Sequence, residues 1–257
     1  LSEDKEEAMS RARAIELFNS ERKELDQKIT AQALDQIKDN QEEELYSTVV
    51  FQPDWHKGVV GIVASRLIET HYRPTVVFAA SGDYYTGSVR SVKGVDVYQI
   101  LEACQEHIVQ FGGHRYAAGL TIKPEDYLAF KKAFELAVAQ NIQPEQRIPS
   151  TAYDLEMTLD KITPKFHRIM AQMAPFGPGN MRPVFLTTNC LDGGATKAVG
   201  VDQSHLKLEA TDASKVMLSG IGFGMANHIN KIKSREPFQI IYTVDENEFR
   251  GVKSIQL

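Results

Sequence analysis

Cysteine is nearly missing from this chain: Cys104 and Cys190 are the only two in 257 residues. They lie far apart and share no metal-ligand spacing, so they read as buried thiols in a reducing, cytoplasmic setting. Long apolar runs are missing too. No stretch reaches the roughly 18 apolar residues of a membrane-crossing helix, and the polar start LSEDKEEAMSRARA has no apolar segment of the signal-peptide kind. The chain opens on Leu rather than Met, which reads as a piece of something longer. Metal chemistry has no visible carrier. The seven histidines are scattered, with no HxH or HxxxH pair, no Asp-His-His and no Asp-x-Asp. GxSxG, Walker and dinucleotide glycine motifs are also lacking.

Proline and glycine are absent from residues 2–39, a stretch rich in Glu, Lys, Arg, Ala, Leu and Gln. That composition predicts one long helix, with Ser2 as its cap and Glu3 and Asp4 in its first turn. Ala14, Leu17, Phe18, Leu25, Ile29, Ala33, Leu34 and Ile37 keep to one stripe. Residues 1–46 hold 13 Asp/Glu against 7 Lys/Arg, so the net charge of −5 belongs to this segment and the remainder is close to neutral. A long acidic helix of this kind reads as a connector.

Beyond it the pattern changes. Strand-like runs (YSTVVF, PTVVFAA, YYTGSVRSV) alternate with helical ones (KGVVGIVASRLIETH, Val95–Val109, Pro124–Ala139). Alternation of this kind predicts an α/β domain over 46–140. The proline-bearing NIQPEQRIPS at 141–150 reads as a linker. Over 151–257 a strand from Ala152 to Leu159, a helix from Ile162 to Ala174 and many short strands predict a small β-barrel or sandwich. A short helix is expected within Gly224–Lys233.

Three strings carry candidate chemistry. FGGHRYAAG, at 111–119, suits a Gly-Gly turn in which Gly112 and Gly113 lay amide groups against an anion. His114 then donates to that anion or moves a proton; the alternative is a tight turn with a satisfied core histidine. In GSVRS, Ser88 and Arg90 point to one face of a strand and combine a hydroxyl with a bidentate cationic fork, which suits phosphate; an ordinary surface arginine is the alternative. WHKG places His56 just before a helix, whose amino end attracts anions, with Trp55 in the core as the plainer reading. Asp154 and Glu156 share a strand face, but with no third ligand they read as solvated. In the last third, HLKLE puts Lys207 on one strand face. Lys197, Lys231, Lys233, Arg235, Arg250 and Lys253 add cations, and Phe185, Phe223, Tyr242 and Phe249 add rings, the general form of a single-strand binder, although such rings also fill cores.

Taken together, HKGVVGIVASRLIE, RPTVVF, TGSVRSV, VDVYQILEAC with its Asp96, FGGHRYAAGLTI, MAPFGPGN, RPVF and HLKL occur in the order of the RecJ family, and the chain resembles that family over nearly its whole length. RecJ-like proteins are single-strand-specific 5′→3′ DNA exonucleases of the DHH phosphoesterase superfamily, acting in repair and recombination. The resemblance implies a fold of α/β plus all-β type: a long connecting helix (1–45), an α/β DHH-associated domain (46–140), a linker (141–150) and an OB-fold barrel (151–257). It implies that Ser88 and Arg90 hold a DNA 5′ phosphate, and that Gly112, Gly113 and His114 face the scissile phosphate. His114 would stabilise the transition state and His56 would lie near the cleft. It also implies two-metal water activation by Mn2+ or Mg2+ held on a catalytic domain outside this chain, which alone would bind no metal and be inactive. Single-stranded DNA is the expected partner, and a single-strand-binding protein a further one. Tyr116 departs from the family, where small residues are common. Two other readings are a DHH-type phosphoesterase for short oligonucleotides or cyclic dinucleotides, and a protein-interaction module.

Overall fold

The computed structural model describes residues 4–249 and 251–257. They form two compact units that divide between Pro149 and Ser150. The expected cap Ser2, the first-turn acid Glu3, the cation of Arg250 and the ring of Phe249 lie outside what is described.

In the first unit, α1 (Lys5–Asp39) runs for 35 residues from Asp4, whose carboxylate accepts the amide of Glu6. Only its second half packs. Ile29, Ala33 and Ile37 are buried, whereas Ala14, Leu17 and Phe18 of the expected stripe are exposed. Next come β1 (Thr48–Gln52), α2 (Val60–Thr70), β2 (Thr75–Ser81) and β3 (Tyr84–Arg90). α3 (Val97–Ala103) is capped by Asp96 and is shorter than the run predicted to Val109, because Gln105–His107 tightens to a 3-10 turn. β4 (Gln110–His114), β5 (Ala117–Ile122) and α4 (Tyr127–Asn141) complete the unit. The sheet order is β1-β2-β3-β5-β4, with β1 and β2 parallel and the rest antiparallel. One face packs Val50, Val77 and Ala79 against α1 and α2. The other packs Val76, Phe78, Val89, Leu120 and Ile122 with Ile100 and Leu101 of α3 and Phe130 and Phe134 of α4.

The second unit holds β6 (Leu155–Glu156), α5 (Pro164–Ala171), β7 (Phe185–Asp192), β8 (Lys197–Val199), β9 (His205–Thr211), β10 (Met217–Gly222), α6 (Ile229–Ile232), β11 (Phe238–Tyr242), β12 (Asp245–Phe249) and β13 (Val252–Gln256). The strand expected from Ala152 to Leu159 shrinks to β6, because Leu159–Lys161 turns into a 3-10 segment. The main path is β10-β9-β7-β11, with β6 on β7 and β8 on β9. Leu159, Phe185, Leu206, Leu208, Ala210 and Tyr242 form its core. The OB-type arrangement is present, but the expected closure into a barrel is not. Among the described residues β10 and β11 stand at opposite ends of the path, and β12 pairs only with β13. Leu257 ties that hairpin's end to β10, exchanging backbone hydrogen bonds with Ser219 and Ile221 at 3.0 Å, and Ile255 packs against the core.

Candidate phosphate-binding face

FGGHRYAAG is not a Gly-Gly turn. Gly112 and Gly113 lie inside the edge strand β4, and the chain reverses at Arg115 and Tyr116. Pairing with β5 outweighs the poor strand propensity of glycine. Register then does what local sequence cannot show. Partners directly opposite in a sheet share a face. Arg90 pairs with Ala117, and Ala117 with His114; Ser88 pairs with Gly119, and Gly119 with Gly112; Thr86 pairs with Thr121, and Thr121 with Gln110. These nine residues therefore form three rows on one face of β3, β5 and β4. It is the face on which Val77, the partner of Ser88, packs beneath α2. Gln110, Gly112, His114 and Gly119 are exposed, and the other five are partly buried.

The face is polar, cationic and low. Its middle row crosses two glycines, so Ser88 and Arg90 rise on one side of a bare backbone floor and His114 stands at the opposite edge. Arg90 is fixed through Nη1, which donates to Ser88 Oγ at 2.9 Å and to the Val89 carbonyl at 2.8 Å. His114 Nδ1 accepts the Tyr116 amide at 3.3 Å, so in the neutral ring Nε2 carries the proton and is the donor. Ser91 and Val97 anchor the hairpin tip by donating their amides to the carbonyls of Tyr116 and Arg115, both at 3.0 Å. Tyr116 points away from the row of His114 and lies beneath the Arg115 guanidinium, 5.5 Å from the ring centre.

His56 lies just before α2, the helix whose Gly61 stands against Arg90 and Ser88. It is exposed, and its Nδ1 accepts the Gly58 amide at 3.1 Å. Among the described residues no hydrogen bond or ion pair joins it to Ser88, Arg90 or His114. Trp55 takes its plainer role, buried with Nε1 donating to Gln32 at 2.9 Å. Asp154 and Glu156 are structural acceptors, for the Val184 amide and the Thr188 hydroxyl. Burial pushes the thiols of Cys104 and Cys190 up to about 11, with the nearby Glu106 and Asp212 adding to it, so neither is reactive.

Divalent cations do not suit the face. Its nine residues include no carboxylate, its charge is positive, and no group of three His, Cys, Asp or Glu able to hold a metal occurs among the described residues. An anion does suit it: a guanidinium, a hydroxyl and an imidazole N–H surround a floor low enough for close approach. Sequence reading missed Thr86, Thr121 and Gln110. The period of two in YYTGSVR could have found Thr86, but the other two depend on which strands pair.

In the second unit Lys207 is exposed on the side of β9 away from the core. Lys197 stands opposite it across β8–β9 and Ile221 across β9–β10. Two cations directly opposite repel unless an anion lies between them. His205 shares that face. Its Nδ1 accepts the Gly224 amide at 3.0 Å, and its ring meets the 74 % exposed Phe223 edge-on at 5.4 Å. Phe185 and Tyr242, also candidate rings, are core residues instead. Lys253 is paired with Glu246.

Comparison with known proteins gives the arrangement a family. The DHHA1 domain matches residues 44–140 and the RecJ OB domain residues 153–257. The single-stranded-DNA-specific exonuclease RecJ of Bacillus subtilis is 30 % identical over 259 residues, covering 100 % of this chain and 33 % of that protein. The Haemophilus influenzae RecJ is 30 % identical, covering 97 % of this chain and 45 % of its own length. The chain thus spans between a third and a half of these relatives. Crystal structures of Thermus thermophilus RecJ with Mg2+ and with Mn2+ superpose over 100 % of the chain at TM-scores of 0.77 and 0.78, with 23 % identity, a likeness of fold. No helix among the described residues is long and apolar enough to cross a membrane. With a DHHA1 domain followed by a RecJ OB domain, similar along its whole length to part of these exonucleases, the chain belongs to the RecJ family.

Proposed function

We propose that this chain is the strand-holding part of a RecJ-type exonuclease that degrades single-stranded DNA from its 5′ end in repair and recombination. The observation that carries this reading is the register of β3, β5 and β4, which gathers Ser88, Arg90 and His114 on one face over Gly112 and Gly119. Ser88 and Arg90 hold a terminal phosphate: Ser88 supplies a neutral donor and Arg90 the charge. His114 directs its Nε2 proton at an oxygen of the neighbouring phosphodiester and steadies the negative charge that grows there during cleavage. Gly112, with Gly119, admits the backbone of the strand, whereas Gly113 alternates to the other face of the sheet. His56 adds a donor at the amino end of α2. Mg2+ or Mn2+, if used by the whole enzyme, is held by residues outside this face, and none of these steps passes through it. On the second unit, Lys207 with Lys197 takes phosphates while Phe223 offers a surface for a base. An acidic tail of a single-strand-binding protein is a further partner for these cations.

Binding of a 5′-phosphorylated single-stranded oligonucleotide, followed by fluorescence anisotropy, tests the reading. Arg90→Ala is expected to weaken binding roughly tenfold or more, the loss of a charge-assisted contact. The same oligonucleotide with a 5′-hydroxyl should bind the variant and the parent alike. Equal affinity of both proteins for the phosphorylated strand would overturn the assignment.

A further inference from the structure

We propose that Gly61 is a positioning residue for the anion site, and that the missing side chain in the first turn of α2 sets where Arg90 and Ser88 stand. This rests on the reading of Arg90 and Ser88 as phosphate holders. Gly61 is the second residue of an 11-residue helix. Glycine is a poor helix former, and here it is not serving a left-handed conformation, so backbone freedom gives no reason for it. Space does. A Cβ at this position would lie 2.8 Å from Arg90 Nη2, 3.0 Å from Ser88 Oγ and 3.6 Å from Arg90 Cζ.

One edge of the guanidinium is already committed, since Nη1 donates to Ser88 and Val89. The other edge, Nη2, lies against the bare backbone of α2. The helix has no side-chain cap at its amino end, where Val59 precedes it. Gly61 therefore lets the cation, the Ser88 hydroxyl and the uncapped first turn of α2 meet at one point, each favourable to an anion. A methyl group would drive the guanidinium off this wall. Because the atom it meets is the free end of a flexible side chain, the fold absorbs the change while the site does not.

The test is a double-mutant cycle with two readouts. Gly61→Ala is expected to keep or raise the melting temperature, since alanine favours the helix. It should also weaken binding of a 5′-phosphorylated oligonucleotide roughly tenfold, with little change for the 5′-hydroxyl form. In an Arg90→Ala background the same substitution should change binding less than about twofold, because the atom it displaces is gone. Normal binding by Gly61→Ala, an equal loss in both backgrounds, or a loss that comes with a lowered melting temperature would each overturn the inference. If Arg90→Ala itself binds the phosphorylated strand normally, the phosphate reading fails and takes this inference with it. A loss in Arg90→Ala with none in Gly61→Ala overturns the role of Gly61 alone.

Discussion

Adjacent glycines in β4 have opposite jobs. Gly113 has φ +153°, and a Cβ there would run into β5, at the Ala117 carbonyl oxygen and the backbone of Ala118. Gly112 faces the open side, and a Cβ there meets nothing within 4 Å. Gly113→Ala is expected to cost about 2 kcal/mol or more in denaturant unfolding, through backbone strain at the hairpin. Gly112→Ala should change stability by no more than about 0.5 kcal/mol, yet raise the floor of the proposed anion face. The histidines show a parallel economy. His56, His114 and His205 each accept a backbone amide at Nδ1, from Gly58, Tyr116 and Gly224. In each neutral ring the proton is thereby assigned to Nε2.

Among the elements, the joint between α1 and β1 depends on one buried cation. Arg73 is 4 % exposed and donates to the carbonyls of Glu42, Glu43 and Leu45 at 2.7–2.8 Å, and to Thr48 Oγ1 at 2.7 Å. Nearby, Glu135 accepts the amides of Tyr46 and Ser47, and Asp26, fully buried on α1, pairs with Arg22 and with Arg66 of α2. The second half of α1 is thus fastened to the sheet. Arg73→Ala is expected to destabilise the first unit by about 3–5 kcal/mol, and Arg73→Lys to recover little, since an ammonium cannot span that fork of acceptors. Denaturant melts and hydrogen exchange of residues 42–47 would measure both. Elements were legible in the sequence where one rule governed them. The freedom of residues 5–39 from proline and glycine foretold α1, and alternation foretold β9. The shared face of Ser88 and Arg90 needed only the strand period. What escaped was set by partners distant in the chain. The GG pair looked like a turn because its strand character comes from β5. The stripe on α1 looked uniform because nothing in it announces that packing starts only at Leu25. The barrel looked closed because pairing between chain ends leaves no local trace.

At the scale of the whole molecule there are two compact units and one tryptophan. Trp55 is buried in the first unit, so its fluorescence reports that unit alone, while far-ultraviolet dichroism reports both. Acid is expected to separate them through Asp212. Desolvation pushes this buried carboxyl up, but the Ser214 hydroxyl and the amides of Leu159 and Ser214 outweigh it, holding it below the usual carboxylate range. A carboxyl lowered by folding adds stability that is present above its ordinary value of about 4 and is lost as pH falls through the lowered one. Asp212→Asn should therefore flatten the acid limb of the second unit's unfolding, followed by dichroism between roughly pH 5 and pH 2, and leave the Trp55 transition where it was. An unchanged acid limb would count against that role. The glycine floor has a consequence for information. Two of the three residues in its middle row are glycines, so the floor offers little with which to tell one base from another. Under the proposed reading, a polymer lying there would be measured by charge and thickness, so this face would be illiterate by construction and would treat every sequence as the same text.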